Sequence, residues 1–393
     1  MWQAGGWRAD RIQHRHRGER RDRHFPVRQA LRPWRIWANP GRWGSGVGIR
    51  HFGRGDWIIL VRLGHANQFC AVAKSINVTS NATREIIVTR MSGPRDQSVR
   101  SPAVAGMFYP ADAAACRRAA TQLLESARPA ISQMSSQLGS DSGIGGIVPH
   151  AGWICSGAVA AESIASLARL RPAVDLVVVF GAIHTPIPID RGVLDSHARW
   201  AVPGGESGVT ELRRELSASA AQFVTDDRFH LREHAVEVEL PLIQITWPLA
   251  QILPIEVPPE GSAIELGQSV ARAVKAAGVS AIYLASSDLT HYGPNYRFAP
   301  AGVGAAAMEW AMENDRRVLR IITDMTPEKI IFEVRTHNNA CGAGAIAAMM
   351  AACLEQGARK AVVLRHTSSY QTLVAVAPQT PDNAVGYAAV WVG

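Results

Sequence analysis

The sequence lacks the long apolar runs of a membrane protein and the dense cysteines of a secreted disulfide scaffold. No uninterrupted apolar stretch reaches the length of about 18 residues that spans a bilayer, and this excludes a transmembrane helix. Five cysteines scattered over 393 residues are typical of free thiols in a reducing compartment, so we expect a cytoplasmic protein. The hydrophobic fraction of 47% is nevertheless ample for a packed core.

Acidic residues are scarce in the first quarter of the chain. Residues 1–90 contain 17 Arg and Lys but only five Asp and Glu, a balance of +12. Residues 91–393 contain the remaining 24 basic and 28 acidic residues, a balance of −4, so the net charge of +8 comes from the first segment alone. The mildly acidic remainder gives no electrostatic reason to expect nucleic acid as a partner.

Residues 1–90 are predicted to be a basic extension rich in Arg and Trp. Their apolar residues follow neither a helical nor a strand period, apart from a run at 57–61 and a candidate strand at 85–89. We interpret the segment as disordered, or as the product of a mis-assigned start upstream of Met91. A genuine tail and an arm that grips nucleic acid are the alternatives.

The pattern of residues 91–393 predicts a single α/β domain. Continuous apolar strands at 146–149, 176–180, 252–257 and 280–286 are typical of a sheet that helices cover on both faces. Two final strands, 361–365 and 384–392, are expected to close a central sheet that is largely parallel or mixed. Helices are expected at 110–127, from an N-cap at Ser156 to 170, and at 209–220, 233–247, 263–277, 302–314, 327–335 and 342–357.

Polar side chains capable of metal binding or acid–base chemistry follow several of the predicted strands. His150 and His184 each follow a strand, Asp288 and His291 follow a later one, and Cys341 begins an Ala-rich helix. Open α/β sheets bind ligands at the carboxyl ends of their strands, so these segments are expected to meet in one crevice. Together they would make a metal site or an acid–base constellation, although each residue alone also fits a loop, capping or packing role.

Several of these residues keep two interpretations. Asp288 can cap a helix, or it can orient the His291 imidazole as part of a general-base pair. Cys341 can be a small buried hydrophobic residue, or a thiolate whose pKa the helix dipole lowers. His234 and Glu237 share one face of the predicted helix. The pair can support the site or face a substrate, or it can form an exposed ion-pair surface.

Seven segments follow one another along the chain with characteristic sequences. They are 100–110 (RSPAVAGMFYP), 148–153 (VPHAGW), the turn with His184, 233–241 (EHAVEVELP), 286–293 (SSDLTHYG), Cys341-Gly342 and 386–389 (GYAA). Taken in order, they resemble the segments of the Memo-like family, the B component of the so-called AmmeMemoRadiSam system. The resemblance covers essentially residues 98–393, and the order and spacing of its segments are highly specific. The turn before His184 departs from the family, because it reads Gly-Ala-Ile-His where Gly-Pro-x-His is usual.

The resemblance implies a fold similar to that of class III extradiol dioxygenases, with a metal site. The family's ligands, two His and one Cys, fall on His150, His184 and Cys341, and its nearby Asp and His fall on Asp288 and His291. Iron or copper is the implied ion, and a radical SAM protein and an AMMECR-like protein are the implied partners. Members of the family have also been treated as peptide-binding adaptors.

We therefore favour a metal-dependent redox or dioxygenase-like enzyme acting on an unknown small-molecule or peptide substrate. In this hypothesis His150, His184 and Cys341 hold iron or copper, while His291 and Asp288 move protons. A thiolate is softer than the carboxylate of the usual Fe(II) triad and suits copper better. The alternatives are a non-catalytic peptide- or protein-binding module that uses the same cleft, and a thiol hydrolase with Cys341 as its nucleophile.

Overall fold

The computed structural model describes residues 47–52, 56–62, 69–70, 98–138, 143–219, 221–376 and 378–393. The chain divides into two units, residues 1–93 and 94–393. The apolar run at 57–61 lies in a strand of the first unit, whereas the candidate strand at 85–89 lies outside the described residues. The interpretation of residues 1–90 as an extension stays a prediction. The first unit contains a three-stranded antiparallel sheet of β1 (Val47–Phe52), β2 (Asp56–Arg62) and β3 (Phe69–Cys70).

The second unit alternates strands and helices as the sequence predicts. Four short 3-10 helices supplement them at Asp227–Phe229, Glu237–Glu239, Pro294–Tyr296 and Pro327–Lys329. The other elements are β4 (Val99–Arg100), α1 (Ala113–Gln133), α2 (Ser135–Leu138), β5 (Gly145–Val148), α3 (Trp153–Ala168), β6 (Leu176–Ala182), β7 (Gly192–Leu194), β8 (Arg199–Val202), β9 (Gly205–Gly208), α4 (Leu212–Ser219), β10 (Phe223–Thr225), α5 (Leu240–Thr246), β11 (Gln251–Val257), α6 (Ala263–Ala277), β12 (Ala281–Ser286), β13 (His291–Tyr292), α7 (Ala305–Thr323), α8 (Ile330–His337), α9 (Ala343–Glu355), β14 (Ala361–Ser368), α10 (Ser369–Val374) and β15 (Ala384–Val392).

One nine-stranded mixed sheet lies at the centre of the second unit and confirms the predicted α/β class. Its middle consists of four parallel strands in the order β11-β6-β12-β5. On one side β15 runs antiparallel to β5, with Val390 opposite Ile147, and itself pairs with β13 and β14; on the other side β7 and β10 follow β11. Because β5, β6 and β12 are parallel, the residues that follow them emerge at one edge of the sheet.

Helices cover both faces of the central sheet, and each face has its own apolar core. On one face α6 and α9 pack against each other and the sheet, burying residues such as Leu266 and Met349. On the other face α1, α3 and α5 bury residues such as Ile164 and Ile243. All seven residues of β6 are buried, which explains why its sequence is a continuous apolar run. In the described part of the chain, no helix has the length and apolar character needed to cross a membrane.

The first residues of two helices differ from the prediction for local reasons. α1 begins at Ala113 rather than 110, because Asp112 caps it by accepting a hydrogen bond from the N–H of Ala115 at 2.8 Å. α3 begins before Ser156, whose hydroxyl donates to the carbonyl of Ala151 at 2.8 Å instead of capping the helix. The expected N-cap at Ser156 is therefore wrong.

The helix predicted over 233–247 is also wrong in its first half. That stretch contains only the 3-10 turn Glu237–Glu239, followed by α5. The carboxylate of Glu233 accepts hydrogen bonds from the N–H groups of His234 and Ala235 at 2.8 and 3.1 Å. A side chain that bonds its own backbone in this way competes with helix formation, so the segment forms a turn.

Candidate metal centre

His150 lies just beyond the carboxyl end of β5. The residue is buried, and its backbone N–H donates to Oδ1 of Asp288 at 2.9 Å. Nδ1 of its ring lies 2.9 Å from Oγ of Ser286, and that hydroxyl donates its single proton to the carbonyl of Ala235 at 2.5 Å. The hydroxyl must then accept from His150, so Nδ1 carries the proton and Nε2 keeps a free lone pair.

His184 follows β6 and is held at two points by the carboxylate of Glu233. The backbone N–H of His184 donates to Oε2 at 2.7 Å, and its Nδ1 lies 2.8 Å from Oε1. Burial would raise the pKa of Glu233, but the hydrogen bonds from His184 and His234 hold it well below its usual range. Because an ionised carboxylate only accepts, Nδ1 of His184 carries a proton and its Nε2 is the nitrogen left for a ligand.

His234 joins His150 and His184 in a group of three rings, which we call the imidazole cluster. Nδ1 of His234 lies 3.2 Å from Oε1 of Glu233, so one carboxylate serves two of the rings. The His184 and His234 rings stack with centroids 4.5 Å apart, and the His150 ring meets each of them edge-on at 5.1 Å. One nitrogen from each ring lies within 4.8 Å of the other two, which is close enough to share one ion.

Cys341 brings a thiol to the same point from the loop that precedes α9. Its Sγ lies 3.2 Å from Nε2 of His150 and accepts a hydrogen bond from the N–H of Asp288 at 3.2 Å. The N–H of Cys341 in turn donates to the carbonyl of Asp288 at 3.2 Å. The structure therefore brings His150, His184 and Cys341 together with His234, and the role of these residues as metal ligands stays a prediction.

Burial and neighbouring charge set the protonation of this group. Burial lowers the pKa of His150, and the charges of His234 and His184 lower it further. Burial also opposes protonation of His184, but hydrogen bonds with Cys341 and Glu233 outweigh it and raise the pKa of His184 to about 10. Burial raises the pKa of the Cys341 thiol despite the hydrogen bond with His184. Desolvation is the largest effect on this thiol, and its pKa is therefore raised rather than lowered.

Asp288 and His291 lie beside the cluster, but in the described structure no hydrogen bond joins their side chains. Burial raises the pKa of Asp288 to about 7, although hydrogen bonds from the backbone of His150 and Ala151 oppose the shift. Nδ1 of His291 lies 3.1 Å from the carbonyl of Leu289. Burial lowers the pKa of His291, and so do the charges of the imidazole cluster, although the bond to Leu289 opposes them. The His291 ring is therefore neutral at pH 7.

Glu237, expected to support the site or face a substrate, has a different role. Its buried carboxylate lies 2.6 Å from a guanidinium nitrogen of Arg100 and accepts from the N–H groups of Ala103 and Val104 at 2.7 and 2.9 Å. The hydroxyl of Tyr109 donates to it at 2.7 Å. These contacts use both carboxylate oxygens, so Glu237 anchors the segment that precedes α1.

A second group with metal-ligand chemistry lies at Asp195, His197 and Asp227. Asp195 already accepts from Nδ1 of His197 at 2.8 Å and from Nε1 of Trp200 at 2.5 Å. Asp227 accepts from the N–H and hydroxyl of Ser196 at 2.9 and 2.6 Å. Since every carboxylate oxygen already has a donor, this group is a closed hydrogen-bond cluster, unlike the imidazole cluster.

Two residues that orient the site were not predicted from the sequence. Glu233 and Ser286 both hold Nδ1 atoms of the imidazole cluster, and each stands in a segment already singled out for another residue. Glu233 immediately precedes His234, and Ser286 comes two positions before Asp288. Adjacency to a candidate ligand was the signal that could have identified them, because metal-binding imidazoles usually donate their second N–H to such groups.

The fold and the site define an α/β protein in which three imidazoles meet beyond the carboxyl ends of the parallel strands, with the Cys341 thiol beside His150. The sequence profile of the family described as Memo-like protein matches residues 100–391. The chain belongs to this family, which confirms the resemblance seen in the sequence.

Curated relatives include three MEMO1 family proteins from archaea. The protein of Methanococcoides burtonii is 33% identical over 303 residues, with 74% of this chain and 99% of the relative covered. The protein of Nitrosopumilus maritimus is 29% identical over 300 residues, and that of Thermococcus kodakarensis is 30% identical over 304 residues. Both of these alignments cover 74% of this chain and 98% of the relative.

Proposed function

We propose that this protein is a metal-dependent redox protein whose ion is held by His150, His184 and Cys341, with His234 as a fourth donor. The observation that carries the proposal is the state of the ring nitrogens. Nδ1 of His150 lies at hydrogen-bond distance from Ser286 and Nδ1 of His184 from Glu233, which leaves their Nε2 atoms for the ion. Nδ1 of His234 lies 3.2 Å from the same Glu233 carboxylate.

The donor set fits a soft or borderline transition metal. Imidazoles suit iron, copper and zinc, whereas a thiolate favours copper over the oxygen-rich environment that hard ions require. Iron remains in the proposal because the imidazole donors accept it, although a thiol takes the place of the carboxylate in the usual Fe(II) triad. Such an ion, when bound, supplies one-electron redox chemistry.

The protonation of the site supports a bound cation. In the bare protein the proton on His184 is favoured by Cys341 and Glu233, and burial keeps the thiol protonated. Both groups must lose a proton to act as ligands. A bound cation would therefore replace the positive charge of the protonated His184 ring, which the site stabilises. Metal binding is therefore expected to release protons and to strengthen as the pH rises.

His291 is the group in the proposal that moves a proton beside the ion. Its ring is neutral at pH 7, and because Nδ1 donates to the carbonyl of Leu289, Nε2 is left as the basic atom. Asp288 is proposed to assist by keeping His150 and Cys341 in place through its carboxylate and backbone. The substrate is proposed to be a small molecule or peptide that reaches the half-exposed His184 side of the site.

The two alternatives make different demands on the same residues. A thiol hydrolase needs an ionised Cys341, yet burial raises the pKa of this thiol despite its hydrogen bond with His184. A non-catalytic binding module requires no metal and no proton transfer. Neither explains why Ser286 and Glu233 fix the Nδ1 atoms of His150 and His184. The partners suggested by the resemblance, a radical SAM protein and an AMMECR-like protein, belong to the proposal and are testable by co-purification.

The test is anaerobic titration of the full chain with Fe(II), Cu(I) and Co(II). We expect close to one ion per chain and, with Co(II), the charge-transfer absorption of a metal–thiolate bond. Cys341→Ser should abolish that absorption, and His150→Ala should abolish tight binding. Cys155→Ser, which removes a half-buried thiol outside the ligand set, is the matched control. Wild-type protein that binds none of the three ions would overturn the proposal and leave the binding module.

A further inference from the structure

A buried carboxylate on α7 holds the segment that carries His291. Oδ1 of Asp315 accepts from the backbone N–H of Thr290 at 2.9 Å, and Oδ2 lies 3.0 Å from Nε2 of His366. The side chains of Asp315 and His366 are 1% and 13% exposed. A pair buried to this extent adds little net stability, but it can restrict its partners to one arrangement.

The backbone of Gly386 in β15 also binds the segment that carries His291. Its N–H donates to the carbonyl of Thr290 at 2.9 Å, and its own carbonyl accepts from the N–H of Leu289 at 2.8 Å. A Cβ atom at this position would overlap the carboxylate of Asp315. Glycine is therefore required here so that Asp315 can approach the strand and the Thr290 backbone together.

The preceding residue of α7 connects this segment to the loop of Cys341. Nδ2 of Asn314 donates to Oγ1 of Thr290 at 3.2 Å, and the carbonyl of Asn314 accepts from Nδ2 of Asn339 at 3.0 Å. Leu289 and Ala340 are also joined by an isolated β-bridge. One turn of α7 thus contacts two of the loops at the proposed metal site, the one that carries His291 and the one that carries Cys341.

We propose that Asp315, paired with His366, is a positioning residue that holds His291 beside the imidazole cluster. Asp315 touches no ligand; it acts through the backbone of Thr290, the residue directly before His291. The inference rests on the proposed function, in which the neutral His291 ring accepts a proton. It also assigns a role to His366, which follows a run of apolar residues in β14 and is otherwise unexplained.

The test compares rates of histidine modification by diethyl pyrocarbonate in the full, metal-free chain, followed residue by residue with mass spectrometry. In Asp315→Asn we expect His291 to react about fivefold to tenfold faster, because the hydrogen bonds to Thr290 and His366 lose a charged partner and a local opening becomes easier. His197, outside the segment, should keep its rate. His366→Gln keeps an N–H near the position of Nε2 and should stay within about twofold of the wild type.

Asp324→Asn, which removes an exposed carboxylate at the end of the same helix, is the matched control. Equal His291 rates in Asp315→Asn and Asp324→Asn would overturn the proposal, and so would a parallel acceleration at His197, which signals general loosening. If Asp315→Asn does not fold, His366→Ala must accelerate His291 selectively. Co(II) titration of the wild type distinguishes failure of the proposed function from failure of the positioning role of Asp315. If the protein binds no metal, the proposed function is wrong, but the rates of His291 modification are unaffected.

Discussion

The hydroxyl of Ser286 and the ring of His150 form a hydrogen bond of 2.9 Å whose direction is determined by a third group. Because Ser286 donates to the carbonyl of Ala235, it can only accept from Nδ1 of His150. The tautomer that leaves Nε2 free is thus set before any ion arrives. This kind of support is what distinguishes a prepared metal site from a chance group of histidines.

Ser286→Ala removes this constraint and is expected to weaken metal binding by about tenfold, since His150 can then adopt the other tautomer. The affinity for Co(II), measured by competition with a chelator, is the readout. Ser166→Ala serves as the control, because that buried hydroxyl also donates to a carbonyl but lies in the last turn of α3. An unchanged affinity in Ser286→Ala would mean that Ser286 does not select the tautomer.

Glu233→Gln is expected to reduce metal affinity by about 10-fold to 100-fold, because both His184 and His234 lose their anionic partner. The pKa of His184 should fall towards its ordinary value, and this can be followed by NMR titration of the metal-free protein. The variant should bind metal as tightly as the wild type if the carboxylate is not needed to orient the rings.

Glu237→Gln is expected to lower the stability of the protein without weakening its binding of metal. It leaves the guanidinium of Arg100 buried without its charge partner, a change that costs about 3–5 kcal/mol in comparable sites. Urea unfolding should show the loss of stability, while the fraction that remains folded binds Co(II) normally. If the variant instead lost metal affinity and kept its stability, Glu237 would support the metal site rather than the fold.

Glu239→Gln is expected to stabilise the protein in a pH-dependent way. In the described structure neither oxygen of the buried Glu239 carboxyl has a hydrogen-bond partner, and burial, followed by the charge of Asp288, raises its pKa well above the ordinary 4.5. Below pH 4.5 the group is protonated in both the folded and unfolded states. As the pH rises, only the unfolded state ionises, so wild-type stability falls by up to about 1.4 kcal/mol per pH unit from this group.

The variant cannot ionise, so its advantage over the wild type should be near zero at pH 4 and grow towards pH 7. The free energy of unfolding in urea, measured across this range, checks the prediction. Glu328→Gln, at an exposed position, should give no such trend. A gain of equal size at pH 4 and pH 7 would show that ionisation of Glu239 is not the cause.

The positions of the candidate ligands could be predicted from the sequence, because apolar strands reveal where they end. The orientation of those ligands could not. Glu233 reaches His184 across 49 residues, and Ser286 reaches Ala235 across 51, so neither bond leaves a local pattern. The helix assignment over 233–247 failed for a local reason. The Glu233 carboxylate binds the backbone N–H groups of His234 and Ala235, and the helical spacing of His234 and Glu237 gave no sign of the turn that results.

The unequal exposure of the imidazole cluster implies an order for metal exchange. His150 is 1% exposed, whereas the side chains of His234 and His184 are 21% and 36% exposed. An ion bound as proposed would have to pass the stacked pair of His184 and His234 before it could reach His150 and Cys341. Its departure would follow the reverse order, so we expect chelators to extract it at a rate set by release from the buried thiol and imidazole rather than by chelator concentration.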